Sequence, residues 1–272
     1  MTVLVTGAAG SIGRVVCAGL LARGFAVAGL DMAAEPKGFT GPWFTVDCAD
    51  PDAVSAVFER LEDTGRIDAV VHLASIPHEE SLPVILASHV VTTAALLDAM
   101  VERGVSRIVF ASSNHAVGRT KRQELLGNDV PARPDTFYGV GKVAAEALLR
   151  LYVDRFGIDA VAMRIGSFLP QPETRRHLST WLSHDDAVRM VEACLTAPDP
   201  GFAVVYGISA NTRAWWDLAP GRALGYDPQD DAEVFAERIE ATPITDTDRF
   251  EGEYVGGPYA GDSFHRPALD RA

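Results

Sequence analysis

A short apolar run, Val3-Leu4-Val5, breaks at once into a glycine-rich turn, Gly7-Ala8-Ala9-Gly10-Ser11-Ile12-Gly13, and then into an amphipathic stretch. That opening, repeated in outline along the chain, limits the possible folds more than any other feature. Residues 2 to 6 read as a strand and 11 to 23 as a helix, followed by strands at 26 to 30, 68 to 73, 106 to 111 and 159 to 164. Helical patterns at 52 to 61, 84 to 103 and 137 to 156 separate them. Runs of four to seven apolar residues alternating with longer 3.6-periodic segments predict repeated β-α units. Such units close right-handed into a parallel sheet with helices on both faces, and ligands bind beyond the carboxyl ends of its strands. The expected class is α/β, a Rossmann-type doubly wound parallel sheet.

Regularity falls away after the strand at 159 to 164. A loop runs to about 177, a helix opens at Ser183-His184-Asp185-Asp186, a strand follows near 203 to 207 and a helix near 231 to 240. The expectation is a dinucleotide-binding domain over 1 to 165 and a small C-terminal substrate lobe over 166 to 272, packed as one compact unit. Residues 241 to 272, rich in Gly, Pro and Asp, read as an extended tail that needs a surface to dock on.

With 272 residues, 47% of them hydrophobic, the chain can bury a substantial core. A net charge of −13 argues against nucleic acid or an anionic membrane as partner, since phosphates would be repelled. No apolar run reads as a membrane span and no basic leader precedes the first strand, so an unsecreted, unanchored, cytoplasmic protein is expected. Cys17, Cys48 and Cys194 are odd in number and lack CxxC spacing, which disfavours disulfides and zinc alike. Seven histidines include no HExxH, so no metal is expected. Ser113, His115 and Asp185 could suggest a serine hydrolase, but no GxSxG elbow exists and a neighbouring Ser and His at a strand end would not align easily.

The glycine turn follows a strand and opens a helix, the setting in which it binds a dinucleotide. Gly7 allows the turn, Gly10 lets the pyrophosphate approach, and Gly13 lets helix and strand pack closely, while the helix start at Ser11 and Ile12 attracts the phosphates. Asp31 ends the second strand about twenty residues on, where a carboxylate accepts ribose hydroxyls and repels a 2′-phosphate. NAD is therefore expected rather than NADP. Asp47 and Cys48 after the third strand, and Leu73, Ala74 and Ser75 after the fourth, lie where adenine and the second ribose would pass.

Tyr138-Gly139-Val140-Gly141-Lys142 puts a phenol and an ammonium four residues apart on one helical face, with Ser113 upstream at the end of the fifth strand. A free tyrosine of pKa about 10 is a poor base, and bringing it near neutrality requires about 4 kcal/mol. Lys142 and a cationic nicotinamide could supply that together. The three residues describe a redox site.

With the glycine turn, Asp31, Ser113, Tyr138 and Lys142, the chain resembles the extended short-chain dehydrogenase/reductase (NAD-dependent epimerase/dehydratase) family over roughly residues 1 to 210. Within it, the runs Phe110 to His115, Pro131 to Asp135, Arg164 to Ser167, Leu178 to Asp186 and Ala214 to Asp217 resemble the uronate-dehydrogenase branch. That resemblance implies NAD-dependent oxidation of glucuronate or galacturonate at C1 to the aldarolactone, with Tyr138 as base, Ser113 orienting the hydroxyl and Lys142 holding the nicotinamide ribose. Sugar-nucleotide epimerisation, or oxidation of another sugar, is the alternative within the same family. Ser75, Asn114, His115 and Ser167 would meet sugar hydroxyls, and Ile165 the cofactor. Asn114 and His115 stand where a dehydratase would carry an Asp-Glu pair. A substrate carboxylate needs a cation; Arg175-Arg176 offers a forked donor, and the resemblance picks Arg176. Relatives commonly pair the helices near 84 to 103 and 137 to 156, which implies a homo-oligomer, a dimer or larger. In two places this chain departs from the family pattern. His89 stands where an asparagine is frequent and is expected to pack, and Gly141 stands where serine is common.

Overall fold

The computed structural model describes residues 1–62, 65–264 and 267–269. Strand β1 (Thr2–Thr6) is buried on both faces, as its unbroken apolar run requires, and passes through the glycine turn into α1 (Ser11–Ala22). There follow β2 (Ala26–Asp31), β3 (Trp43–Thr45), α2 (Pro51–Glu62) and β4 (Ala69–His72). Next comes one continuous helical rod built of α3 (Leu82–Leu86), a π-helical turn (Ala87–Val91) and α4 (Thr92–Glu102). Strand β5 (Arg107–Ser113) leads through a 3₁₀ turn (Asn114–Val117) and a long loop to α5 (Phe137–Phe156) and β6 (Asp159–Ile165). Gly157, with φ of +67°, ends α5 in the left-handed conformation that favours glycine.

Seven parallel strands stand in the order β3-β2-β1-β4-β5-β6-β9, where β9 (Phe202–Gly207), like the helix α7 (His184–Thr196), comes late in the chain. The chain winds outward from β1 in both directions, so the carboxyl ends of β1 and β4 flank the crevice where the winding reverses. One face of the sheet packs on α1 and the later α7, the other on α2, α4 and α5.

The remaining elements are β7 (Ser167–Phe168), α6 (His177–Thr180), β8 (Trp181–Leu182), α7 (His184–Thr196), β9 (Phe202–Gly207), α8 (Ala219–Ala223), α9 (Ala236–Glu240) and α10 (Asp246–Glu251). Ser183 caps α7 by accepting the N–H of Asp186. The expected division at residue 165 is crossed by the sheet itself. β9 pairs with β6 along its whole length and α7 covers the sheet, so residues 166 onward supply both a lobe and part of the main layer.

Two expectations are corrected. The rod Leu82–Glu102 is long and apolar enough, by length and composition, to cross a membrane. It is a core helix here: Leu96, Leu97 and Met100 are wholly buried against the sheet. The tail is not merely extended. It forms α10, whose Thr245 and Asp248 make a reciprocal capping box, and 3₁₀ turns at Gly257–Ala260 and Asp262–Phe264. Its short apolar residues carry the docking, with Val255 fully buried and Ala260 nearly so. Residues 265–266 and 270–272 of that expectation lie outside the described residues.

Candidate active site

A cleft of about 990 Å³ runs over the carboxyl ends of β1, β2, β4 and β5. At one end is the glycine turn. Gly7 has φ of +68°, and a Cβ there would lie 2.7 Å from the backbone nitrogen of Ala74. A Cβ on Gly13 would lie 2.1 Å from the Gly7 carbonyl oxygen, so both positions require glycine for the turn to lie flat against the sheet. Helix α1 starts from Gly10 with no side-chain cap and no acid in its first turn. Its positive end and free N–H groups are thus available to a diphosphate. Asp31 Oδ2 accepts the N–H of Ala9 at 2.8 Å and Oδ1 that of Ala33 at 2.9 Å, which fixes the carboxylate at the mouth of the turn. Ser11, Ile12, Asp47, Cys48, Leu73, Ala74, Ser75 and Ile165 all line the same cleft, as the sequence led one to expect. An extended dinucleotide fits these donors and this shape.

The chemical end is built on the first turn of α5. Thr136 caps the helix by accepting the N–H of Gly139 at 3.0 Å. From the loop after β4, Glu79 accepts the N–H groups of Phe137 and Tyr138, each at 2.8 Å. Tyr138 hydrogen-bonds Ser113, whose Oγ also accepts the N–H of His115 at 3.2 Å. Lys142 is buried; its Nζ donates to Ser75 Oγ at 3.0 Å and to the Ala111 carbonyl at 2.8 Å, and lies 5.4 Å from the centre of the Tyr138 ring. Tyr138, Lys142 and Ser113 therefore meet at the cleft.

Burial dominates their electrostatics in the unliganded protein. Burial pushes Tyr138 up to about 12, with only the Ser113 hydrogen bond acting the other way. Burial also brings Lys142 down to about 7, against the pull of Glu146 one turn further on. Lys142 by itself does not activate the phenol in the unliganded protein, because enclosure disfavours both charged forms.

On the substrate side, Asn114 is buried and His115 borders the cleft. Asn114 Nδ2 donates to the Val255 carbonyl at 2.9 Å, and Arg176 Nη2 donates to the same oxygen at 2.6 Å. Arg176 Nη1 also reaches Ser167 Oγ at 3.2 Å and Thr180 Oγ1 at 3.4 Å. Every acceptor is neutral, and among the described residues no carboxylate forms an ion pair with Arg176. Burial lowers its pKa, with Glu251, Asp135 and Tyr259 acting the other way. Arg176 lines a small neighbouring cavity of about 140 Å³ with Arg122, Trp215 and Glu251, and neither Arg176 nor Ser167 lies in the lining of the main cleft. Arg175 is engaged elsewhere, bound to Glu240 at 2.9 Å and to the Thr242 carbonyl.

His89 lies in the π-helical turn, almost fully buried, its ring edge-on to Tyr138 at 5.1 Å. Burial and Lys142 bring it down to about 4, so the ring is neutral and Nε2 donates to the Ile76 carbonyl at 3.0 Å. It packs, as expected, and it also holds the turn that carries Ser75. Gly141 explains the fit: a Cβ there would lie 2.5 Å from His89 Nδ1. The two departures from the family pattern touch each other.

Sequence reasoning missed Glu79, Asp135 and Tyr259 as neighbours of the site. Asp135 Oδ2 lies 2.8 Å from His115 Nδ1, and the Tyr259 ring is edge-on to His115 at 4.9 Å. No local period marks these contacts, which join loops and tail over long separations.

The model of the NAD dependent epimerase/dehydratase family matches residues 3–184. A uronate dehydrogenase from Agrobacterium fabrum is 41% identical over 259 residues, covering 94% of this chain and 95% of that protein. The crystal structure of uronate dehydrogenase from Agrobacterium tumefaciens superposes with a TM-score of 0.88 at 40% identity, covering 99% of this chain and 98% of that one. A mutant of that enzyme complexed with NAD superposes equally well, at 39% identity, covering 99% of each chain.

Proposed function

This chain belongs to the NAD dependent epimerase/dehydratase family, and from that premise we propose that it is an NAD-dependent uronate dehydrogenase, oxidising a free hexuronic acid at C1 to its aldarolactone. One observation carries the choice of substrate: among the described residues Arg176 is hydrogen-bonded by neutral oxygens alone, and Glu251 and Asp135 act on it without forming an ion pair. A part-buried guanidinium without an anion favours a ligand that brings one. The similarity to uronate dehydrogenases over nearly the full chain supports the same reading.

The sugar lies between Tyr138 and the tail, its carboxylate toward Arg176 and its hydroxyls toward Ser75, Asn114, His115 and Ser167. Bound NAD⁺ supplies the hydride acceptor. Ser113 Oγ holds the C1 oxygen while Tyr138 Oη removes its proton, leaving the C1 carbonyl of the lactone. Lys142, anchored by Ser75 and Ala111, stands where it can hold ribose hydroxyls and stabilise the phenolate. Asp31 disfavours a 2′-phosphate and so selects NAD. The tail residue Tyr259 borders the sugar end of the cleft, which suits a small free acid better than a nucleotide sugar.

We infer a homo-oligomer from Val91, Leu151 and Phe156, apolar side chains left exposed on the rod and on α5. Three free, buried cysteines are compatible with a reducing cytoplasm.

The test is a panel of free sugars, hexuronates and nucleotide sugars, read at the NADH absorbance band. Net NADH with hexuronates, and little with neutral hexoses, is expected. Turnover of nucleotide sugars with no NADH from any hexuronate would overturn the proposal.

A further inference from the structure

The Asp135 side chain is wholly enclosed. Both of its oxygens face His115 Nδ1, at 2.8 and 3.1 Å, and Oδ1 also accepts the Thr136 hydroxyl at 3.1 Å. Its pocket is made by backbone. A Cβ on Gly118 would lie 1.9 Å from Oδ2 and one on Gly256 1.7 Å, and these two segments are joined by the Gly256 N–H donating to the Gly118 carbonyl at 2.9 Å. The 3₁₀ turn after β5 and the tail thus close around a single carboxylate. The imidazole it holds is edge-on to Tyr138 at 5.8 Å and to Tyr259 at 4.9 Å, and borders the cleft.

A buried carboxylate only accepts hydrogen bonds, and leaving it without donors is costly. His115 Nδ1 must therefore carry a proton. In the neutral ring that leaves the lone pair on Nε2, to which no group among the described residues hydrogen-bonds.

We propose that Asp135 is a positioning residue that fixes His115 in the Nδ1–H tautomer, so that Nε2 accepts a hydrogen bond from a substrate hydroxyl beside the reacting carbon. This rests on the sugar-acid reading of the cleft. Asp135 lies outside the lining of the cleft and acts through His115. It makes the pocket read the proton of a hydroxyl, so a deoxy analogue lacking that group is rejected.

Two measurements test it. In wild-type protein labelled with ¹⁵N-histidine at neutral pH, and with the His115 signals identified by their loss in His115→Ala, Nδ1 should resonate as protonated and Nε2 as a bare acceptor. A bare Nδ1 with protonated Nε2 would overturn the inference whatever the substrate proves to be. In kinetics, Asp135→Asn should lower kcat/KM for hexuronate by roughly 10- to 100-fold, leave the NAD dissociation constant near normal, and narrow the preference over the matching deoxy acid. The Asp135→Asn, His115→Ala double variant should be no slower than His115→Ala alone. Additive losses would reduce Asp135 to a structural role and overturn the proposal. If no hexuronate is turned over by wild type while the tautomer is as stated, it is the functional reading that fails.

Discussion

The carboxylate of Glu79 accepts the backbone N–H of Tyr138 at 2.8 Å and that of its neighbour Phe137 at the same distance, across 58 or more residues of sequence. A negative group on the first turn of a helix satisfies orphan donors and opposes the positive end of the dipole. Here the same contact sets where the phenol proposed as base emerges. Glu79→Ala should lower stability by about 1 to 2 kcal/mol and reduce kcat more than NAD affinity. Thermal unfolding and steady-state kinetics check this, and an unchanged kcat would mean that Thr136 alone sets the start of α5.

His89 and Gly141 form a second coupled pair. A serine side chain at 141 would start 2.5 Å from His89 Nδ1 and 2.6 Å from Ile85 Cγ2. Overpacking of this kind typically costs about 1 to 3 kcal/mol. Gly141→Ser is expected to destabilise the protein by that amount and slow turnover by shifting Tyr138, and the smaller His89→Asn should relieve much of the loss. A double variant no better than Gly141→Ser would show that Ile85, and not the imidazole, limits the space.

Much of this was legible in the sequence, and the division is physical. The parallel, doubly wound sheet follows from β-α alternation, and Gly7, Asp31, Tyr138 and Lys142 declare themselves through fixed spacing on a turn, a strand end and one helix. The residues that hold them do not. Glu79 reaches Phe137 from 58 residues away, His115 finds Asp135 twenty residues on, and Val255 takes the Asn114 amide across 141. Such contacts belong to loops, where no period signals which side chains meet. The tail misled for a related reason. Its polar composition reads as extended, yet a few small apolar residues, Val255 and Ala260 among them, suffice to seat it. Spacing likewise places a cation beside the Tyr138 phenol but says nothing of how deeply that phenol is buried.

That burial sets a pH dependence. Tyr138 lies well above its ordinary pKa, and as the proposed base it would have to lose its proton, so kcat/KM should rise with pH from about 7 to 10, governed by the coupled Tyr138 and Lys142 titration. Stability follows the opposite group. Lys142 has a folded pKa below its unfolded value, so between about 7 and its ordinary 10.5 the unfolded chain binds more protons and stability rises with pH. Lys142→Met should therefore stabilise the unliganded protein most below pH 7, with the gain fading toward 10 while activity is lost. Denaturant melts across that range check it; a gain independent of pH would place the lysine in a less enclosed setting.

The tail offers the last test, at Gly257. Its φ of +59° is unfavourable for any other residue, and a Cβ there would lie 2.4 Å from Arg176 Nε. Gly257→Ala thus adds about 1 to 2 kcal/mol of backbone strain to a direct clash with the guanidinium. The tail turn and Arg176 must separate, and the Val255 carbonyl that Arg176 shares with Asn114 moves with them. Glycine turn and Asp31 lie at the far end of the cleft and stay as they are. The expected outcome is a KM for hexuronate raised by roughly tenfold or more with the NAD dissociation constant within about twofold of wild type. Equal weakening of both would mean that the tail supports the whole cleft, whereas an unchanged KM would remove Arg176 and the tail from substrate binding altogether.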